Sequence, residues 1–403
     1  MNKIIKRREK LFIAMMVIAV AILFASCGEN KQETSKNDSE TKDVSIVASG
    51  DMLYHDQVFY SAQKADGSYD FTSQFEMIKP LISKADLALG DFEGCIAPER
   101  ELSGYPLFNA PPQVVDAIKS TGYDVIDLAH NHILDMNLKG AMETRKAFEE
   151  VGIDTIGLKD SADAPVLIKD VNGIKIAILG FCYGYNGMEN TITDEEYHQH
   201  LDDLDMKNVE KRIKEAEEKA DITVVMPQIG NEYWIEPTEE QKEIYRKMVD
   251  LGADIIFGGH PHVPEPTEVI KKDGENKFIL YSMGNLISNQ RIETMDGVMN
   301  NQWTERGVIM QVDIQKKNGK TTIKSITPHP TWVQKHPRGT YKGVYDLADY
   351  KVLLTEEYMP GGKYEGTLSK AETERVQKTY TEVMELMNID RSLLKPAVKE
   401  ANK

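Results

Sequence analysis

Short apolar stretches of this chain repeatedly run into a glycine or asparagine turn that carries an acid, an amide or an imidazole. Residues 44–48 break at Ser49-Gly50-Asp51, and residues 87–89 lead into Gly90-Asp91-Phe92-Glu93-Gly94. Residues 123–129 end in His130-Asn131-His132, and 222–226 run into Pro227-Gln228-Ile229-Gly230-Asn231-Glu232-Tyr233. Residues 253–257 stop at Gly258-Gly259-His260-Pro261-His262. The runs are short and rich in β-branched residues, which reads as strands. Between them, apolar residues at helical spacing predict helices over 75–84, from 114 to a stop at Gly122, and over 138–151, 206–219 and 239–251. Val171-Asn172-Gly173 signals a hairpin between 166–168 and 174–179.

Strands alternating with helices predict an α/β fold. In such sheets the carboxyl ends of the strands converge on one crevice, where ligands bind. Asp51, Glu93, Asn131 with His132, Gln228, and His260 with His262 are therefore expected to meet there. Of Asp91 and Glu93 only one needs to face the crevice. Two imidazoles one residue apart, in a glycine turn after a buried strand, suit a metal or a phosphate.

The N-terminal segment has a basic head, Lys3, Lys6, Arg7, Arg8 and Lys10, followed by an apolar run over 11–25. That run is too short for a comfortable membrane span and has the build of a signal peptide. It ends in Phe24-Ala25-Ser26-Cys27, which resembles the lipobox of bacterial lipoproteins, with Cys27 as the lipidated mature N-terminus. A retained signal anchor is the alternative, and both tether the chain to the extracytoplasmic face of the cell membrane. Residues 27–42 are polar and cannot bury enough apolar surface to fold, so they read as a tether. Removal of 1–26 takes the net charge from −17 to about −21. So acidic a surface excludes nucleic acid as a partner and adhesion to anionic lipid through charge alone. Cys95 and Cys182 make no disulfide framework, and the sequence leaves their pairing open.

Gly50-Asp51-Met52-Leu53, Phe92-Glu93-Gly94, Asn131-His132-Ile133-Leu134-Asp135, Gly230-Asn231-Glu232-Tyr233, Gly258 to His262 and Tyr281-Ser282-Met283-Gly284-Asn285 follow in order. Together they resemble the poly-gamma-glutamate capsule synthesis protein family (CapA), a branch of the calcineurin-like metallophosphoesterases. The resemblance implies a four-layer α/β/β/α sandwich over 43–345, with 346–403 as a helical extension. It implies Asp51 and His262 on one metal, Asn131 and His260 on a second, and Glu93 bridging. His132 takes the role of transition-state stabiliser or proton donor, and Glu232, Tyr233 and Asn285 are candidates for substrate contact. Donors of this kind suit Mn, Fe or Zn without selecting one. Two positions depart from the metallophosphoesterase pattern. Leu53 stands where a second ligand is expected and has no donor atom, and Gln228 stands where a histidine is expected. One metal position is thus short of a ligand and the other holds a poor one, which leaves enzyme activity open.

The resemblance implies a lipid-anchored surface protein in the synthesis, export or attachment of a poly-gamma-glutamate or similar anionic capsule, beside the membrane proteins that polymerise it. The residues also leave open a divalent-metal-dependent hydrolase of a phosphoester or of a cell-wall or capsule amide, and a metal-free scaffold on the same fold.

Overall fold

The computed structural model describes residues 41–389, 391–395 and 397. The signal segment and Cys27 lie outside the described residues. None of the described helices is long and apolar enough to cross a membrane. In chain order the strands are β1 (Lys42–Leu53), β2 (Leu87–Glu93), β3 (Val125–Asp127), β4 (Asp154–Ile156), β5 (Leu167–Val171), β6 (Ile174–Cys182), β7 (Ile222–Gln228), β8 (Ile255–Phe257), β9 (Thr267–Lys272), β10 (Glu275–Leu280), β11 (Asn285–Ile287), β12 (Arg306–Lys317), β13 (Lys320–Tyr341) and β14 (Tyr345–Leu354).

They form two sheets. The larger has the order β14-β13-β12-β1-β2-β3-β4, with β11 pairing β1, and the smaller has β5-β6-β7-β8-β10-β9. Pleat alternation decides what each face buries. Val44, Ile46 and Ala48 of β1 face inwards and meet Ile176, Val224 and Phe257 of the smaller sheet. Val47 points the other way, onto the layer that contains the helices Val114–Thr121 and Asn137–Glu150. Ala177, Val225 and Ile256 likewise turn outwards onto the helices Met206–Lys219 and Glu239–Leu251. Three apolar interfaces between four layers give the expected α/β/β/α sandwich, each buried Val, Ile or Phe contributing about 1.5–3 kcal/mol.

The helices at 206–219 and 239–251 fall where periodicity placed them, because both begin at side-chain caps, Asp205 and Thr238. Residues 75–84 do not form one helix. They split into the turns Thr72–Phe75 and Lys79–Ile82, since Pro80 has no N–H to continue the ladder and instead opens the second turn. The expected boundary at 345/346 also moves. β14 pairs along β13 and belongs to the sheet, and the helical part of the extension is Lys370–Met387. That helix buries Val376, Val383 and Met387. Cys95 and Cys182 are both free and buried.

Candidate metal centre

β1, β2 and β3 run parallel, and their register sets Asp51 beside Asp91 and Asp91 beside Asp127. Three aspartates therefore stand in a row, all fully buried. β2 extends to Glu93, so Asp91 and Glu93 lie two residues apart in one strand. The pleat puts such residues on the same face, which corrects the expectation that only one of them is needed at the crevice. Asp91 accepts a hydrogen bond from Gln228 Nε2, and Glu93 lies beside His262.

β11 carries Asn285 into register with Asp51, whose N–H donates to the Gly284 carbonyl at 3.1 Å. A Cβ on Gly50 would lie 1.8 Å from that carbonyl oxygen, so only glycine allows this approach. From the smaller sheet, the turn after β8 presents His260 and His262 with φ of 93° and 60°. Left-handed backbone at two non-glycine residues is strained, and strain of this kind gathers at functional sites.

His262 Nδ1 lies 3.2 Å from Asp51 Oδ2, 3.1 Å from Asn285 Oδ1 and 3.7 Å from Glu93 Oε2. Donor atoms of Asp51, Glu93 and His262 all fall within 4.8 Å of one another. Ligands bound at about 2.0–2.2 Å to one cation sit at separations of this size. Both Glu93 carboxylate oxygens and Asp51 Oδ1 are buried without a hydrogen-bond partner among the described residues. Desolvated carboxylate oxygens with nothing to accept are costly unless an ion or a proton satisfies them. These residues fit a divalent cation. Burial lowers the His262 pKa, but Glu93 and Asp51 outweigh it and hold the imidazole at about 10. Burial pushes Glu93 up to about 7 against the pull of His262.

The second group of expected ligands is only partly assembled. Asn131 Oδ1 and His260 Nδ1 are buried and unpartnered, as ligand atoms would be. Burial, with the charges of His262 and His132, drops the His260 pKa to about 3, so its ring is neutral and able to ligate. Gln228, by contrast, spends its amide N–H on Asp91. Leu53 is buried and brings no donor.

His132 is placed on the cleft with Nδ1 2.8 Å from Asp135 Oδ2 and Nε2 3.4 Å from Asn186 Nδ2. Burial lowers its pKa, yet Asp135 and Glu93 leave it above the ordinary value. Tyr233, at φ 66°, lays its ring over His262 with centroids 6.0 Å apart, and Gln290 Nε2 donates to its hydroxyl. Glu232 is exposed at the cleft, and Asn285 is locked by donating to Gln290 Oε1 at 2.8 Å and to the Thr304 carbonyl at 2.9 Å.

Sequence reasoning missed three contributors. Asn186 reaches both Asn131 and His132, from a loop with no motif of its own. Asp135 orients His132, and its three-residue spacing was the available signal. His55 belongs to no motif in the sequence but lines the cleft, its ring edge-on to Phe108 with centroids 5.3 Å apart.

Comparison with known proteins adds identity to this geometry. Residues 45–290 match the family described as Bacterial capsule synthesis protein PGA_cap. The chain is 28% identical over 338 residues to the capsule biosynthesis protein CapA of Bacillus anthracis, covering 80% of this chain and 77% of that protein. It is 29% identical over 296 residues to the PGA biosynthesis protein CapA of Bacillus subtilis, covering 71% and 74%. Among solved structures it is similar to the calcineurin-like phosphoesterase YfkN of Bacillus subtilis at 16% identity and a TM-score of 0.40, over 86% of this chain and 99% of that one.

Proposed function

Because the chain belongs to the bacterial capsule synthesis protein family PGA_cap, we propose that it serves capsule synthesis at the outer face of the cell membrane, held there by a lipid on Cys27. In this reading it works beside the membrane proteins that polymerise and export an anionic polymer, poly-gamma-glutamate or one like it, and its cleft acts through a divalent cation. The observation that carries the cation is the convergence of Asp51, Glu93 and His262 with both Glu93 oxygens unpartnered. Such a cation would supply Lewis-acid polarisation of a phosphoryl or carbonyl oxygen. The protein's own share is placement. Asp51, Glu93 and His262 fix the cation, Asn285 orients His262, and His132, held by Asp135, stands on the cleft to move a proton.

The test replaces the resident gene with the Glu93→Gln variant and measures surface polymer alongside protein level. Loss of polymer at unchanged protein level is expected, and polymer at the normal amount overturns the role of the site. Metal content gives the second readout. About one divalent ion per full-length chain is expected after purification without chelators, and none in His262→Ala.

A hydrolase of a phosphoester or of a capsule or wall amide is favoured by a separate observation, the unpartnered Asn131 Oδ1 and His260 Nδ1 beside His132. Hydrolysis of a generic phosphodiester by the metal-loaded protein, lost in His260→Ala, would support it. Activity that survives His260→Ala would place the chemistry elsewhere.

A further inference from the structure

The cleft in front of Asp51, Glu93 and His262 encloses about 990 Å³, and among the described residues no lysine or arginine lines it. Its acids are Asp56, Asp135 and Glu232. Asp135 is engaged by His132 and by the Phe108 N–H at 2.6 Å. Asp56 accepts one backbone N–H, from Gly104 at 3.1 Å, and neither it nor Glu232 has an ion-pair partner among the described residues. Glu232 lines the same cleft as His262. Aromatic faces complete the walls. Tyr105 is 73% exposed at the mouth, and Tyr233 lies over His262.

Carboxylates without counter-ions beside open aromatic faces recognise a cation, through charge and through the negative face of the ring. A low-dielectric cleft focuses that preference. A polyanion running along this cleft would meet the carboxylates of Asp56 and Glu232 with no lysine or arginine among the described lining residues to offset them. Resting on the metal reading above, we propose that the ligand of this cleft bears an amine. Its anionic group belongs to the metal at Asp51, Glu93 and His262, and its ammonium is taken by Asp56 and Glu232 with the rings of Tyr105 and Tyr233. The body of an anionic polymer then stays outside, and only an amine-bearing end or acceptor enters.

The test is calorimetric titration of the full-length Mn²⁺-loaded protein with phosphoethanolamine and with phosphoglycolate. The two carry the same anionic head, and one has an ammonium where the other has a carboxylate. Phosphoethanolamine is expected to bind about tenfold or more tighter. In the Asp56→Asn/Glu232→Gln double variant the ratio is expected to shrink to about twofold, and Glu232→Lys, on an exposed side chain, is expected to reverse the order. Phosphoglycolate binding as tightly as phosphoethanolamine would overturn the amine assignment while leaving the metal reading intact, as would a ratio that survives the double variant. Failure of both ligands to bind would overturn the metal reading and this inference with it.

Discussion

Gln228 Nε2 donates to Asp91 Oδ2 and so joins β7 of the smaller sheet to β2 of the larger across the base of the cleft. Asp91 is the middle member of the row Asp51, Asp91, Asp127, and burial with those neighbours raises its pKa well above the usual carboxylate range. Its other oxygen has no partner among the described residues. Gln228→Ala strips the remaining bond from a fully buried acid, so stability is expected to fall by about 1–3 kcal/mol. The urea midpoint reads this directly. Gln228→His places an imidazole beside Asp91 and the Gly259 turn that carries His260, and its metal content is expected to rise from about one ion per chain towards two. A content unchanged from the parent would show that Gln228 is not what limits the second position.

Glu265 gives the pH dependence. It is fully buried, accepts from Gln241 Nε2 at 2.7 Å and leaves Oε1 unpartnered. Burial raises its pKa from 4.5 to about 8. The folded state thus holds this proton more tightly than the unfolded chain does. Its contribution to stability is fully present below about pH 4.5 and is lost as pH rises through about 8, at no more than about 1.4 kcal/mol per pH unit. Glu265→Gln keeps an acceptor for Gln241 and cannot ionise. Its stability between pH 5 and pH 8 is expected to fall less than the parent's, measured by denaturant unfolding across that range.

The site was legible in sequence wherever a strand ended in a motif. Asp51, Glu93, Asn131, His132, His260 and His262 each lie in, or within three residues of, a glycine or asparagine turn that closes an apolar run. Tyr233 and Asn285 were legible by the same signal. Contributors from loops without periodicity, Asn186 and His55, carried no such mark. β13 was partly hidden for a different reason. Residues 321–326 read as a strand, but the element runs on to Tyr341 through Pro328, Pro330 and Pro337, and prolines argue against a paired strand. Their absent N–H groups are accommodated here, and His329 between two of them is buried against Glu356 at 2.6 Å. The Asp91 and Glu93 pair was misjudged because alternation was applied to them as neighbours, whereas residues two apart in one strand share a face.

Gly50 tests whether close backbone approach positions Asp51. An alanine Cβ would meet the Gly284 oxygen at 1.8 Å, and that carbonyl accepts the Asp51 N–H. β1 and β11 must part to admit it, which moves Asp51 away from Asn285 and His262. Gly50→Ala is expected to cost about 3 kcal/mol or more, beyond ordinary overpacking because the obstacle is backbone. Thermal unfolding checks the cost, and metal content of any folded fraction is expected to be lower than the parent's.

Arg375 connects the C-terminal helix to the cleft wall. Its guanidinium pairs with Glu293 and Glu305. Glu305 is buried and also takes Arg291 at 3.3 Å and Trp332 Nε1 at 2.8 Å. Asn289, Gln290, Thr294, Met295 and Val298 of the same segment line the cleft. Gln290 in turn holds Asn285, whose Oδ1 faces His262. A helix outside residues 45–290 is therefore linked by charge and hydrogen bonds to the proposed ligands. Removing one partner of a buried pair costs about 3–5 kcal/mol, but Arg375 is partly exposed and Glu305 keeps Arg291, so Arg375→Ala is expected to lose about 1–3 kcal/mol. Arg375→Lys is expected to recover only part of this, because an ammonium cannot fork between two carboxylates. Urea unfolding measures the loss, and limited proteolysis within 288–299 is expected to accelerate in Arg375→Ala. Proteolysis at the parent rate would show that the wall stands without the helix.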